Sequence, residues 1–197
     1  INLVEKCYPK YRENLSTCRS PQMMIGPLIK TFWAEKAHVK ADDIFHVSIM
    51  PCTAKKDEIE RQQMWRHGKK DVDVVLTTRE FGRLLARLGI SDWKNVKEEE
   101  YDDPLGASTG AAALFGVTGG VMEAALRTAY ELHTGEPLGK VEFQACRGLA
   151  GVKDAIVDVK NAKLHIAIVN GTKNVRELMK KIDSGFFKDN PLHFVEV

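Results

Sequence analysis

The sequence predicts an α/β fold, a mainly parallel sheet flanked by helices. Three observations point there. Short runs rich in β-branched and apolar residues recur at 44–49, 72–76 and 164–169, each the length of a buried strand. Before and between them lie segments with apolar residues at helical spacing, around 24–38, 81–88 and 121–132. From 72 to 89 a strand, a helix cap and an amphipathic helix follow one another, the order of a βα unit with parallel strands.

The elements follow in order. Leu3, Val4, Cys7 and Tyr8 stand at helical spacing, and Pro9 interrupts that first helix, with Cys7 on its apolar face. Ser20-Pro21 is a helix start, Ser as N-cap and Pro at the first helical position. Met24, Leu28 and Phe32, with Ile25, Ile29 and Trp33, then make one wide apolar stripe. Gly26-Pro27 requires a kink there or a later start at Pro27. The run at 44–49 is a strand that Pro51 ends, because proline cannot donate a ladder hydrogen bond. After a polar stretch at 59–68 comes the strand at 72–76. Thr77 and Glu80 make a capping-box pattern. Phe81, Leu84, Leu85 and Leu88 carry the helix face, and Gly89 closes it. The stretch 91–104 is acidic and reads as a solvated loop. The Gly- and Ala-rich stretch 106–120 is neither Gly-x-Gly-x-x-Gly nor a P-loop, and its small residues permit close backbone approach. A helix is expected at 120–133, with Val121, Ala124, Ala125 and Leu132 among its apolar positions. Strands are expected at 141–145, 155–159, 164–169 and 194–197, with a helix at 174–182 before the last.

A length of 197 residues suits one α/β domain or two small lobes. The composition is ordinary, 44% apolar and 28% charged, with a net charge of +2. That balance gives no reason to expect nucleic acid or a membrane surface as partner. No stretch reaches the roughly 18 apolar residues of a membrane span. The chain opens with Ile1 rather than Met, and a piece of a longer protein is expected. Cys7, Cys18, Cys52 and Cys146 include no Cys-x-x-Cys pair and do not make a disulfide framework, so a reducing, cytoplasmic setting is expected. Cys7, Cys18 and Cys146 are read as structural. The six histidines form no His-Glu-x-x-His pair, and His46 is expected as a satisfied core or edge residue.

The nonapeptide Met50-Pro51-Cys52-Thr53-Ala54-Lys55-Lys56-Asp57-Glu58 holds the chemistry. Cys52 falls just past a strand's carboxyl end, the rim where open α/β sheets bind ligands. Lys55 and Glu58 follow it at three and six residues. A nearby cation favours thiolate, the form that binds iron or zinc. From these residues alone, a metal ligand and a buried structural cysteine are both open readings.

This stretch resembles the second signature of the iron-only (FeFe) hydrogenases, Met-Pro-Cys-x-x-Lys-x-x-Glu, at every fixed position. Other stretches resemble that family in the same order: Asn14-Leu15-Ser16-Thr17-Cys18-Arg19-Ser20-Pro21-Gln22, Asp73-Val74-Val75-Leu76-Thr77-Thr78-Arg79-Glu80, Asp103-Pro104-Leu105-Gly106 continuing to Ser108-Thr109-Gly110, Phe115-Gly116-Val117-Thr118-Gly119-Gly120-Val121-Met122-Glu123, and Arg147-Gly148-Leu149. The resemblance implies part of a two-lobed catalytic domain, residues 1–197, that begins after the family's first cysteine signature and stops before its last. The missing lobe would be a partner of this one.

It also implies a cofactor, the H-cluster, a 4Fe-4S cubane bridged by a cysteine sulfur to a two-iron subsite with carbonyl and cyanide ligands. By the match, Cys52 is a cubane ligand and Lys55 holds a cyanide of the subsite. Met50, Pro51, Phe115 and Gly116 wall its pocket, and Ser20 and Gln22 are polar neighbours. Ser16 matches a serine on the proton path, where a hydroxyl both accepts and donates. Glu58 orients Lys55 or shuttles protons. The implied activity is reversible reduction of protons to dihydrogen in an anaerobic setting, with electrons from a ferredoxin or NADH-linked partner. Two other readings share the fold: a non-catalytic iron–sulfur assembly factor and a dihydrogen sensor. Assembly factors tend to carry Asp at the position of Ala54, so Ala54, with Ser16 and Gln22, favours the hydrogenase.

Overall fold

The computed structural model describes residues 1–197 except Ser91, Asp103, Ala107, Ser108, Lys140 and Asn161, and the side chains of Trp93 and Ala162. The motif residues Asp103 and Ser108 therefore lie outside the described residues. The chain divides into two compact units, residues 3–107 and residues 108–197. The α/β class expected from the sequence is seen.

In the first unit, helix α1 (Asn2–Cys7) gives way at Pro9 to a 3₁₀ turn, Pro9–Asn14. It buries none of its residues, and Cys7 is exposed, against its expected place in a core. A helix this short is held by polar contacts instead. The Arg61 guanidinium makes two 2.9 Å hydrogen bonds to the Glu5 carboxylate, a bidentate pair.

Helix α2 (Pro21–Leu28) starts at the earlier of the two expected positions, with Ser20 as N-cap. Pro27 sits inside it, and the chain continues as a π-helical turn, Ile29–Trp33, into helix α3 (Ala34–Lys36). Pro27 has no N–H to return to the preceding turn, and the wider turn absorbs the break. A Cβ on Gly26 would lie 2.8 Å from Val72 Cγ2 and 3.2 Å from the Asp71 carbonyl, so glycine lets the helix lie against that segment. The buried face of this helical stretch is Gln22, Met23, Gly26, Lys30 and Ala34. Met24, Leu28 and Phe32, expected on the covered face, are exposed.

Strand β1 (Val47–Met50) pairs in parallel with strand β2 (Val74–Thr77), Val47 opposite Val74 and Met50 opposite Thr77. Helix α4 (Ala54–Ile59) lies on the crossover between them. Met23, Ile59, Val72 and Val75 form the core, with Met50 and Met64 against it. Ser48 points inward, while Val47 and Ile49 face out, the alternation a pleated strand imposes. His46 sits just before β1 as an edge histidine, its Nδ1 3.2 Å from the Asp71 carbonyl. Helix α5 (Thr78–Arg87) has the expected capping box in full, and Gly89 follows with φ +76°. Leu84 and Leu88 of its expected core face are exposed.

In the second unit, helix α6 (Ala111–Phe115) leads through a tight turn into helix α7 (Gly120–Thr134). Met122 and Leu126 of α7 pack on Val157, Ile166 and Ile168, whereas Val121 and Leu132 are exposed. The sheet order is β3 (Gln144–Ala145), β4 (Val152–Val159), β5 (Ala162–Val169), β6 (Phe194–Glu196). β5 and β6 are parallel, joined through helix α8 (Thr172–Asp183). β4 and β5 are antiparallel, because β5 follows β4 too closely for the crossover a parallel pair needs. Cys146 is buried, as expected. Among the described residues, no helix is long and apolar enough to cross a membrane.

Candidate metal centre

The site grows from the end of β1. Pro51 stops the strand after Met50, and α4 begins at Ala54 with Thr53 at its N-cap. Cys52 is therefore held in the short turn just beyond the strand's carboxyl end, where its thiol is exposed. The Lys55 N–H donates to the Cys52 carbonyl at 3.3 Å, so the turn is already part of the helix entry.

Four side chains gather behind this turn. One oxygen of Glu58, Oε2, accepts from Lys55 Nζ at 3.0 Å, from Ser20 Oγ at 2.9 Å and from Gln22 Nε2 at 3.1 Å. Gln22 Nε2 also donates to the Lys55 carbonyl at 3.2 Å, and its Oε1 accepts from Ser48 Oγ at 3.0 Å. Gln22 is only 2% exposed, and burying an amide is costly unless it is bonded. Here both ends are bonded, and the partners fix which end is which. The Lys55 ammonium is thus turned to Glu58 within the i,i+3 reach of one helical turn, and stays about 29% exposed.

A second tie holds α4 from the other side. Lys56 Nζ lies 2.8 Å from Glu80 Oε2, and that carboxylate also accepts the Thr77 N–H at 2.8 Å. The Lys56 ammonium first, and then the Thr77 backbone, hold the Glu80 carboxyl down from 4.5 to about 2. A carboxylate depressed by folding adds stability that is complete above pH 4.5 and is lost as pH falls towards about 2. Melting temperature measured across that window is expected to fall more steeply for the wild type than for Glu80→Gln. Parallel curves would show that the pair adds nothing.

The family match sets Ser20, Gln22, Lys55 and Glu58 each near the cofactor, and the structure joins these four in one hydrogen-bonded group. Met50 and Pro51 adjoin it along the chain. Ser16 is outside the cluster, and its Oγ accepts the Cys18 N–H at 3.1 Å, a loop contact. Phe115 and Gly116 lie in the second unit, Phe115 at the end of α6 and about 43% exposed. Ser48 and Lys56 were not singled out from sequence. Ser48 was hidden as an ordinary strand residue, though its inward place in the period-two pattern marks a small polar residue facing the site.

Compared with known proteins, the chain matches the family described as iron only hydrogenase large subunit, C-terminal domain, over residues 1–197. The chain belongs to that family. It is 46% identical to the NADP-reducing hydrogenase subunit of Solidesulfovibrio fructosivorans over the whole chain and 33% of that protein. It is 42% identical to the periplasmic Fe hydrogenase large subunit of Nitratidesulfovibrio vulgaris, covering 98% of the chain and 45% of the relative. An apo FeFe hydrogenase variant from Chlamydomonas reinhardtii superposes with a TM-score of 0.82 at 34% identity, over 98% of this chain and 55% of that one. At 32% identity it also matches cytosolic iron-sulfur assembly component 3 of Pongo abelii, over 93% of the chain and 39% of that protein. The chain thus spans a third to just under half of these curated relatives.

The donors available to an iron-only hydrogenase centre can be tested directly. A four-iron cubane takes four thiolates. Cys52, exposed at the rim, fits one of them. Burial, and then the Asp154 carboxylate, push the Cys146 thiol up, which disfavours thiolate. Cys7 and Cys18 are exposed but join no cluster: among the described residues, no three His, Cys, Asp or Glu are grouped to hold a metal. The donor set fits one corner of the cubane.

Proposed function

We propose that residues 1–197 are part of the catalytic domain of a hydrogenase that reversibly reduces protons to dihydrogen at an H-cluster. The observation that carries this is Cys52 exposed at the strand rim, backed by the Lys55, Glu58, Ser20 and Gln22 cluster. The family match over the full chain supports it. Bound, the H-cluster supplies the redox and bond-making chemistry at iron, and the protein supplies ligation, orientation and paths for protons and electrons.

In this reading Cys52 is one cubane ligand. Lys55 offers its ammonium to a cyanide of the two-iron subsite, a charge-assisted bond that contributes about 1.5–3 kcal/mol. Glu58 keeps that ammonium aimed, and Gln22, locked by Ser48, keeps Glu58 in place. Met50, Pro51, Phe115 and Gly116 match the residues that wall the family's pocket. Ser16 passes protons through its hydroxyl. Ala54, Ser16 and Gln22 favour this reading over an assembly factor. Electrons arrive from a ferredoxin or nicotinamide-linked partner, in keeping with the NADP-reducing relative. Four cysteines with no Cys-x-x-Cys pair suit a reducing compartment, and one relative is periplasmic.

The test is the full-length protein, matured anaerobically with a synthetic two-iron complex. It is expected to show carbonyl and cyanide infrared bands and to evolve dihydrogen from reduced viologen. A protein that loads iron–sulfur but shows neither would overturn the proposal in favour of an assembly role.

A further inference from the structure

Helix α7 begins without a cap of its own. Its N-cap is Gly119, at φ +81°, in a conformation L side chains rarely adopt. A Cβ there would collide with Ile168 Cδ1, and a Cβ on Gly120 would collide with the Leu114 carbonyl oxygen. A side chain is thus shut out at Gly120 and strained at Gly119, although the first N–H groups of a helix need acceptors. The acceptor comes from a strand far along the chain. Glu196 of β6 accepts the Gly119 N–H on Oε1 at 3.1 Å and the Met122 N–H on Oε2 at 2.7 Å.

This carboxylate reaches further than an ordinary cap. Gly119 is followed by Gly120, where a Cβ would also lie 3.3 Å from Phe115 Cα, so only glycine lets the start of α7 lie this close to the end of α6. The Gly120 N–H also donates to the Val117 carbonyl at 2.9 Å. The far end of the turn from Phe115 to Gly120 is thus held by Glu196 at the point where Gly120 leaves no room for a Cβ against Leu114 and Phe115. We propose that Glu196 is a positioning residue that sets where Phe115 and Gly116 stand. This rests on the reading of those two residues as wall of the cofactor pocket.

The experiment uses the full-length matured enzyme with Glu196→Gln, Phe115→Ala and the double variant. Gln keeps the side-chain volume, but its amide can accept only one of the two N–H groups and turns a donor towards the other. Three readouts are followed: amide hydrogen exchange over 116–122, the carbonyl and cyanide infrared bands, and turnover. Glu196→Gln is expected to raise exchange in that segment about tenfold, to shift the bands, and to lower turnover about tenfold, in line with the cost of small misplacements around a reacting centre. The double variant is expected to lose no more turnover than Phe115→Ala, because Glu196 acts through Phe115. Unchanged exchange, unshifted bands, or losses that multiply would overturn the inference. Wild-type enzyme without carbonyl and cyanide bands would instead overturn the pocket reading on which it rests.

Discussion

Reconstituted anaerobically with iron, sulfide and a synthetic two-iron complex, the 197-residue chain by itself is expected to evolve no more dihydrogen than its Cys52→Ala variant. The reason is the donor set. A cubane takes four thiolates, and Cys52 is the one thiol placed at the rim with a prepared polar surround. Cys146 is buried, with its thiol pushed up. Cys7 and Cys18 are accessible, which the sequence reading did not foresee, but neither is grouped with other metal-binding side chains among the described residues. Recruiting them would require α1 to give up the bidentate Glu5–Arg61 pair, and the loop around Cys18 to release its bond to Ser16. Dihydrogen evolution well above the Cys52→Ala control would show that those thiols do move and complete a working centre.

The parts of the fold legible in the sequence are those whose cause is local. The Thr77–Glu80 box needs only a spacing of three and is present in full. Pro51 ends a strand wherever it stands, so the position of Cys52 just past β1 follows from two neighbouring residues. What escaped is tertiary. The stripe of Met24, Leu28 and Phe32 is real as a period, but a period does not say which face is covered. The face α2 buries in this chain carries Gln22, and the turn beyond it carries Lys30. Both are tolerated inside because Gln22 is bonded at both ends and Lys30 Nζ meets the Asp73 carboxylate at 2.7 Å. The reach of Lys56 to Glu80 and of Glu196 to Gly119 crosses 24 and 77 residues, and no sequence spacing announces such pairs. The site residues were legible for a different reason, motifs matched position by position, and what the structure adds is that Ser20, Gln22 and Lys55 all donate to Glu58.

In the full-length enzyme, Glu58→Gln is expected to keep most of the dihydrogen turnover, within a few-fold, while Glu58→Ala loses about ten- to a hundredfold, the usual cost of removing an outer partner of a metal site. Glu58 offers one oxygen to three donors, Lys55 Nζ, Ser20 Oγ and Gln22 Nε2. The carbonyl oxygen of a glutamine can stand in that place and accept the same three bonds, weaker for want of charge. Alanine leaves the Lys55 ammonium with no anchor, so it swings into solvent, and strips one of the bonds from the buried Gln22 amide. The pattern separates two roles for the same residue. A carboxylate that only aims Lys55 tolerates replacement by an amide. One that carries protons does not, because an amide at neutral pH neither takes up nor releases them. Turnover measured for both variants, with the infrared bands as a check that the cofactor is loaded, decides between them. If Glu58→Gln is as damaged as Glu58→Ala while its bands match those of the wild type, Glu58 is a proton carrier and its bond to Lys55 is incidental.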